Sequence, residues 1–487
     1  MEALNRDRGP RALGIARRAA LVFALWLGFW LLAFALIGLL LAVPYAQARY
    51  DGGPGLGGLL ALLAAVTLAI ALFRPRGGAR DTRENVLARG EAPALYALAE
   101  SIGARAGIRA PVAIRLVPGV VASIGADRGW HGRLRGLDVS LGHGLLCVLD
   151  EAGVSAVIAH EYGHMAKGDL GLTPWVYRTR MALGATMGSL ESSMFLLDVP
   201  FRLYAHAFLR QSGRISRAQE YAADALGARQ SGAGAMAEAL RRVHAFAPEW
   251  DVYLDQVLTP ALQRGARLPV LDGFRRFRAS VDRHAAVDEA IARGRAAPPH
   301  PADTHPSLSE RLAALGCDDA DAMPDAADPL APNALSLLGG EAAAEALWYR
   351  TFLRGTLQDC DWESYAERVL MPAVQARFAG TFLAPEQVAL TELPTLLADP
   401  DALWGQTKPD GVTLLSAQGR VRHVCGVLEA FATASLWRHG WHARLVPGEP
   451  LWMERDGRRV APERLIAEVR EGRVTVDDLA AMAAPSA

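Results

Sequence analysis

The sequence is poor in cysteine and almost devoid of lysine. Its four cysteines lie far apart and form no CxxC pair, so neither a disulfide framework nor a cysteine-bound zinc cluster has the required spacing. The basic residues are nearly all arginine, because Lys167 and Lys408 are the only lysines. Together with abundant alanine and glycine, this bias suggests a GC-rich bacterial genome. Any metal site must be built from histidine and carboxylate side chains.

The chain also lacks a dominant charge. Lysine and arginine total 51 against 52 acidic residues, and hydrophobic residues make up 51% of the sequence. This balance excludes a disordered polyanion and a protein that coats nucleic acid, so no nucleic-acid partner is expected. A length of 487 residues exceeds one typical core and predicts two or three folded units.

Charge is absent from two long apolar segments near the N-terminus. Residues 19–43 contain no charged side chain, and residues 55–73 repeat the pattern after a short polar loop. Helices of roughly 19–25 residues are long enough to cross a hydrocarbon core about 30 Å thick. Two transmembrane helices are therefore expected within residues 19–80. A signal peptide cleaved after Ala48 is the competing interpretation, which the length of the first segment and the presence of a second disfavour.

Arginine placement predicts the orientation of these helices. Only Arg49 lies in the loop between them. The tail at residues 1–18 and the stretch after the second helix hold the other arginines of this region, namely Arg6, Arg8, Arg11, Arg17, Arg18, Arg74, Arg76, Arg80 and Arg83. Basic flanks stay on the cytosolic side, so the bulk of the chain is expected in the cytosol. This predicts a multi-pass protein of the bacterial inner membrane, in contact with the lipid bilayer.

The following region mixes helix and strand patterns. Residues 81–149 show a helical pattern and then two short strands, VAIRLVP at 112–118 and LRGLDVSLG at 134–142. Residues 171–210 are moderately apolar but carry several charges. Those charges favour helices over the active site or on the bilayer surface rather than further spans.

The last third of the chain predicts a separate unit. An acidic, proline-rich linker is expected at 317–333, followed by a C-terminal α+β unit at 334–487. Within that unit a hairpin is expected to turn at Asp456-Gly457, and a helix to open at Pro462. The cluster WRHGWH at 437–442 suggests a second metal site, although packing or exposed side chains are the simpler interpretation.

The segment DEAGVSAVIAHEYGHMAKGD, residues 150–169, carries the main chemical signal. Acidic residues at its start, and a lysine and a glycine near its end, predict a single helix. His160 and His164 lie four residues apart on one face, so both can direct a ring nitrogen at one metal ion. Glu161 is placed to take a proton from the attacking water. The alternative, a surface helix with two histidines, conflicts with the apolar run before them.

A catalytic zinc site needs three protein ligands and one open position. A third histidine six residues after His164 is excluded, because Leu170 occupies that position. A glutamate from a later helix is the other solution, and ISRAQEYAADALGA supplies Glu220 as the third ligand. Asp224 shares a helical face with Glu220 and would accept a hydrogen bond from a ligand histidine. The sequence thus predicts one Zn²⁺ per chain.

A third segment, THPSLSERL at residues 304–312, begins another helix after a proline-rich loop. Peptide hydrolysis develops an oxyanion, and His305 or Arg311 is predicted to supply a positive donor to it. His305 is also predicted to occupy the open position on zinc in a latent form. The alternative is a histidine that only hydrogen-bonds the loop.

The motifs HEYGHMAKGD, SRAQEYAADALG and THPSLSERL, in this order, resemble metallopeptidase family forty-eight, which includes the HtpX-like membrane proteases and the type 1 CAAX prenyl proteases. The resemblance covers roughly residues 80–316. It implies a mainly α fold with a small β-sheet and a gluzincin-type catalytic domain at 81–316. The implied site residues are the zinc ligands His160, His164 and Glu220, the base Glu161, and His305 and Arg311 facing the cleft.

The chain departs from the family at two points. Where members often have an Asn-Ala-Phe-Ala type edge strand, this chain has VVAS at 120–123. The prenyl proteases enclose a chamber with many more spans, so the HtpX-like branch, which acts on membrane or misfolded proteins, fits better. The expected function is that of a membrane-anchored zinc metalloendopeptidase for protein or peptide substrates, in quality control or processing. The alternative is a catalytically silent scaffold that binds a partner through its C-terminal unit, which the presence of every chemical residue disfavours.

Overall fold

The computed structural model describes most of the chain in separate segments. These are residues 8–53, 55–73, 85–108, 112–128, 134–166, 217–280, 287, 306–317, 330, 333–353, 355–408 and 416–484. The helices expected at 171–210, most of the linker expected at 317–333, and the site residue His305 lie outside the described residues.

The described residues are mainly helical, as the sequence predicts. The helices are α1 (Arg8–Tyr50), α2 (Leu56–Phe73), α3 (Pro93–Arg105), α4 (His143–Val148), α5 (Glu151–Ala166), α6 (217–231), α7 (Ala233–Tyr253), α8 (Thr259–Gln263), α9 (Val270–Ala279), α10 (Leu308–Ala314), α11 (Glu341–Phe352), α12 (Trp362–Tyr365), α13 (Met371–Phe378), α14 (Leu393–Ala398), α15 (Pro400–Thr407), α16 (Ala417–Arg438), α17 (Pro462–Arg470) and α18 (Val476–Ala483). The strands are β1 (Val112–Val117), β2 (Ala122–Arg128), β3 (Leu134–Gly142), β4 (Ala266–Arg267), β5 (Gln358–Asp359), β6 (His442–Arg444), β7 (Trp452–Arg455) and β8 (Arg458–Val460).

The chain divides into two compact units, each of which combines segments that are distant in sequence. The first comprises Met1–Phe246, Arg293–Ala326 and Ala331–Gly340, and the second comprises Ala247–Ala292, Ala327–Leu330 and Glu341–Ala487.

Helix α1 is apolar over most of its length and exposes that apolar surface. Among the described helices, its part Phe23–Tyr50 is the one long and apolar enough to cross a membrane, and only 11% of its most apolar window is buried. Helix α2 packs against α1, and Gly55 in the connecting loop donates its N–H to Oε1 of Gln47 at 3.1 Å. The apolar part of α2, Leu56–Ile70, is shorter. The sequence predicts two spans; by length and composition the structure supports one.

A three-stranded sheet with the order β1-β3-β2 belongs to the first unit. Strand β1 runs parallel to β3, and β2 runs antiparallel to it, so β1 and β3 confirm the two predicted strands. The outer edge of β1 is covered, because Leu87 donates to the carbonyl of Ile114 at 2.8 Å and Leu116 donates to that of Asn85 at 3.0 Å. Strand β2 contacts helix α5. No strand among the described residues pairs with the outer edge of β2.

The second unit packs around α16. Val424, Leu428 and Phe431 of this helix are buried at helical spacing and belong to one apolar core. An antiparallel sheet, β6-β7-β8, contributes buried side chains from its inner face. The hairpin between β7 and β8 turns at Asp456 and Gly457 with φ of 50° and 75°, the pair of positive angles that a tight hairpin turn requires. This confirms the predicted turn, and the helix predicted to open at proline is α17.

Candidate metal centre

Helix α5 holds two of the predicted ligands in the core of the first unit. Its N-terminus is capped by Asp150, whose Oδ1 accepts the N–H of Gly153 at 2.7 Å. Val154, Ile158 and Tyr162 are fully buried, so apolar packing fixes the rotation of the helix about its axis. That rotation decides where the two histidines point.

Glycine lets α5 and α6 approach closely beside the site. A Cβ placed on Gly163 would lie 2.8 Å from Cα of Ala223 and 3.1 Å from its Cβ. A Cβ on Gly227 would lie 2.8 Å from the carbonyl oxygen of Ala156. Real Cβ atoms essentially never come closer than 3.0 Å to a heavy atom, so neither position accepts a side chain without a shift of backbone. The two glycines therefore set the distance between the helices that carry the predicted ligands.

The close crossing brings the three predicted ligands together. Nε2 of His160 lies 3.2 Å from Nε2 of His164 and 3.7 Å from Oε2 of Glu220. Nε2 of His164 lies 3.8 Å from Oε1 of the same glutamate. One ligand atom from each residue lies within 4.8 Å of the others. Three ligands at 2.0–2.2 Å from a tetrahedral zinc ion are about 3.4 Å apart. The pairwise distances lie near this spacing, so the residues present fit a zinc ion after small adjustments of the side chains.

A buried carboxylate orients the first of these ligands. Oδ1 of Asp224 lies 2.9 Å from Nδ1 of His160, which favours the proton on Nδ1 and leaves the lone pair of Nε2 for a metal ion. Arg311 donates to Oδ2 of Asp224 from Nε at 2.9 Å and to Oδ1 from Nη2 at 2.6 Å. Burial favours a higher pKa for Asp224, but the hydrogen bonds from Arg311 and His160 outweigh it and lower the pKa below its ordinary value. Asp224 thus stays ionised beside the histidine.

The structure brings Arg311 to the carboxylates rather than leaving its guanidinium open to a substrate. Its Nη2 also lies 3.8 Å from Oε2 of Glu220. Burial works against the charged guanidinium, yet Asp224, Glu220 and Glu161 together raise its pKa. The oxyanion role of Arg311 stays a prediction, and the geometry favours a role in holding Asp224 in place.

The other predicted residues are placed less completely. Glu161 is half-buried on α5, next to the first histidine and close enough to Arg311 to interact with its charge. His305 has no described position, although α10 begins three residues later with a capping box between Ser307 and Glu310. The sequence analysis missed Gly163 and Gly227. Their only signal is a small residue inside each motif, which does not by itself show what the glycine faces.

The cluster at 437–442 is used for packing in the second unit. Trp437 donates its indole N–H to Glu367 at 3.0 Å, and Trp441 donates its indole N–H to the carbonyl of Met482 at 3.0 Å. His439 bonds through Nδ1 to the carbonyl of Ser435 at 2.7 Å. Among the described residues, the only group of three side chains with metal-ligand spacing is the one on α5 and α6.

Such a donor set has a defined chemistry. His160, His164 and Glu220 would hold zinc and leave one position open, as in hydrolytic rather than structural zinc sites. When bound, zinc supplies Lewis acidity to a substrate carbonyl and makes a water acidic near neutral pH. Glu161 is the carboxylate that directly follows the ligand candidate His160 in the chain.

Comparison with known proteins agrees with this geometry. No curated protein and no solved structure matches the chain. The model of one protein family does match, over residues 130–317, a segment that contains every predicted site residue. That family is Peptidase family M48, so this segment of the chain is similar to that metallopeptidase family.

Proposed function

We propose that this protein is a zinc-dependent metalloendopeptidase anchored in a membrane by its N-terminal helices. The observation that carries the proposal is the convergence of His160, His164 and Glu220 on one point, with their ring nitrogens and carboxylate oxygens 3.2–3.8 Å apart. The match to Peptidase family M48 over the same segment supports it independently.

The residues around the proposed ion would have separate roles in hydrolysis. Glu161 would take a proton from the attacking water and pass it to the leaving amine. Asp224, held by Arg311, would keep His160 in the tautomer that leaves Nε2 for the ion. His305, three residues before α10 in the chain, would stabilise the oxyanion or cap the ion in a latent form.

The open edge of β2 supports an extended peptide as the substrate. Strand β1 is covered on its outer side, whereas no described strand pairs with the outer edge of β2. An extended peptide can add to such an edge through backbone hydrogen bonds, largely independent of its sequence. Because β2 lies against α5, a peptide bound there would run beside the metal centre. Broad recognition of this kind suits the clearance of membrane or misfolded proteins.

The proposed anchor rests on exposure as well as composition. Phe23, Leu31 and Phe34 on α1 are each more than half exposed, and the long helix has few buried residues. A core helix of a soluble protein would bury these side chains. We propose that α2 returns across the bilayer and that the catalytic part faces the cytosol of a bacterial cell, on the arginine bias of the two flanks.

The decisive experiment compares metal content and proteolysis in three purified full-length proteins. Wild type is expected to contain one zinc and to cleave casein, and His160→Ala is expected to lose the ion. Glu161→Gln is expected to keep the ion and lose activity by on the order of 10²–10⁴-fold, because glutamine cannot accept the proton. Equal proteolysis by wild type and Glu161→Gln would favour the silent scaffold, whose partner would bind both proteins alike.

Orientation is tested separately in intact cells. A cysteine placed near residue 340 is expected to resist a membrane-impermeant thiol reagent until the cells are opened. Ready labelling of intact cells would reverse the proposed orientation without affecting the zinc assignment.

A further inference from the structure

A basic face covers the outer side of the β6-β7-β8 sheet in the second unit. The inner side chains Ala443 and Met453 are buried, which turns their neighbours outward. We define the basic sheet face by the outward residues His442, Arg444, Trp452, Glu454 and Arg459, by Arg464 beside Trp452, and by Arg458, an exposed residue at the turn that pairs with Arg455 of the inner face. Four of these seven side chains are arginines and one is a carboxylate, although the whole chain has a net charge of −1.

The arginines of this face are presented to solvent. The side chain of Arg444 is 61% exposed and that of Arg459 is 47% exposed. Both share a single partner, Glu454, at 3.8 and 2.9 Å. Arg458, at the hairpin turn, is also exposed and lines a shallow cavity of about 400 Å³ with its neighbours on the sheet. The lining of this cavity holds four arginines, including Arg455, against the two carboxylates of Glu454 and Asp456, so the face keeps a positive potential.

An indole lies among these charges. The guanidinium carbons of Arg459 and Arg464 lie 4.7 and 5.3 Å from the ring centroid of Trp452. Stacking of this kind holds the two guanidinium groups beside the indole ring. Tryptophan between cations is also the residue type that lies at the headgroup level of bilayers. By contrast, Arg455 on the inner face donates to the carbonyls of His439 and Ala484 and serves the fold.

We propose that the basic sheet face binds the phosphate groups of anionic phospholipids and docks the second unit on the bilayer surface. The proposal rests on the membrane anchoring proposed above, because α1 would hold the chain at such a surface. Arginine forks match phosphate oxygens in pairs, and the cytosolic surface of bacterial and other membranes is negatively charged. The occupant follows from charge complementarity and from the aromatic side chain between the arginines.

The test uses the full-length chain reconstituted in nanodiscs of pure phosphatidylcholine or with about a third of phosphatidylglycerol. Hydrogen exchange of the hairpin Trp452–Val460 is measured by mass spectrometry in both. Exchange is expected to be slower in the anionic discs, and the difference is expected to vanish at high salt, which screens exposed charge. Exchange in α11 of the same unit serves as the measure of an intact fold.

Charge reversal tests whether the basic sheet face, rather than another part of the second unit, is responsible for docking. Arg444→Glu combined with Arg458→Glu is expected to weaken docking at least about thirty-fold and abolish the difference between the two discs. The matched control is Arg420→Glu combined with Arg422→Glu, the same change at the other end of α16, about 24 Å along the helix from its last residue. This control is expected to keep the wild-type difference.

Each outcome decides the proposal. Equal exchange of the wild-type hairpin in both discs, or a control that loses protection as fully as the test variant, overturns it. Protection by added polyglutamate but not by phosphatidylglycerol overturns it in favour of an acidic polypeptide partner. If the wild-type chain does not enter discs at all, the membrane anchoring fails and the docking fails with it. Zinc content and casein cleavage are unaffected by that result, so it is distinguishable from failure of the peptidase assignment.

Discussion

Replacing Gly163 with alanine tests whether the helix crossing builds the metal centre. The new methyl group would lie 2.8 Å from Cα of Ala223, whereas ordinary contacts begin near 3.4 Å. Backbone atoms cannot rotate away, so α5 and α6 must separate by about 0.6 Å at this point. Overpacking of this kind costs about 1–3 kcal/mol, and alanine returns about 1 kcal/mol through its helix propensity. The net loss of folding stability is therefore small, about 0–2 kcal/mol.

The metal centre is expected to suffer more than the fold. A separation of about 0.6 Å would carry Glu220 away from the two histidines, although a zinc site tolerates deviations of only about 0.2 Å. We expect zinc affinity to fall about 10- to 100-fold, the loss that is typical when a residue that hydrogen-bonds to a metal ligand is removed. Affinity is measured by competition with a chromogenic chelator, and stability by denaturant unfolding of the same sample.

Two further variants make the result specific. Gly426→Ala places the same methyl group in the interior of α16, where no atom lies within 4 Å, and should leave zinc affinity unchanged. Ala223→Gly in the Gly163→Ala background removes the contact at 3.1 Å and should restore part of the affinity. Wild-type zinc affinity and activity in Gly163→Ala would refute the idea that this crossing sets the ligand spacing.

Substitutions at three other positions probe the surroundings of the site and the second unit. Arg311→Met leaves Asp224 buried without its cation and should lower the unfolding free energy by about 3–5 kcal/mol and reduce zinc affinity. Arg311→Lys should recover part of both quantities. Equal values for the two variants would contradict the paired geometry. Asp150→Ala removes the cap of α5 and should cost about 1 kcal/mol with zinc affinity unchanged, as read by unfolding and chelator competition. Burial, and then Glu463, raise the pKa of Glu429 to about 7, so the folded state binds the proton more tightly than the unfolded chain and loses stability as the pH rises from 4.5 to 7. Glu429→Gln should therefore raise the unfolding free energy at pH 8 by at most about 3 kcal/mol and change it little at pH 4; equal gains at both values would contradict the burial of the charge.

Local patterns predicted the parts of the structure that depend on near neighbours. The helix that carries HEYGH, the strands at 112–117 and 134–142, and the turn at Asp456 all follow from spacing and turn chemistry within a few residues. The same holds for the shared face of Glu220 and Asp224, since residues four apart on a helix are neighbours. The choice of Glu220 as the third ligand needed the chemical demand of zinc as well, because an acidic pair on a helix is common.

Contacts between distant segments could not be predicted in this way. Arg311 reaches Asp224 across 87 residues, and nothing in THPSLSERL distinguishes a guanidinium that faces a carboxylate from one that faces a substrate. The second unit shows the same limit, because Tyr349 on α11 bonds to both backbone groups of Leu268, which precedes α9. The requirement for glycine at position 163 likewise depends on where Ala223 passes, which is a property of packing rather than of pattern.

The charges of the metal centre indicate how the site is prepared for its ion. Asp224 and Glu220 are both buried, and two buried carboxylates would repel each other and resist ionisation. Arg311 lies 2.6 Å from the first and 3.8 Å from the second, and its charge is permanent. Arg311 therefore offsets part of this negative charge, and Asp224 orients His160. In small zinc domains the ion supplies the folding energy, whereas α5 here is also held by the fully buried Val154, Ile158 and Tyr162. A zinc ion bound here would therefore not need a fourth protein ligand to hold the fold, and the position left open is what hydrolysis requires.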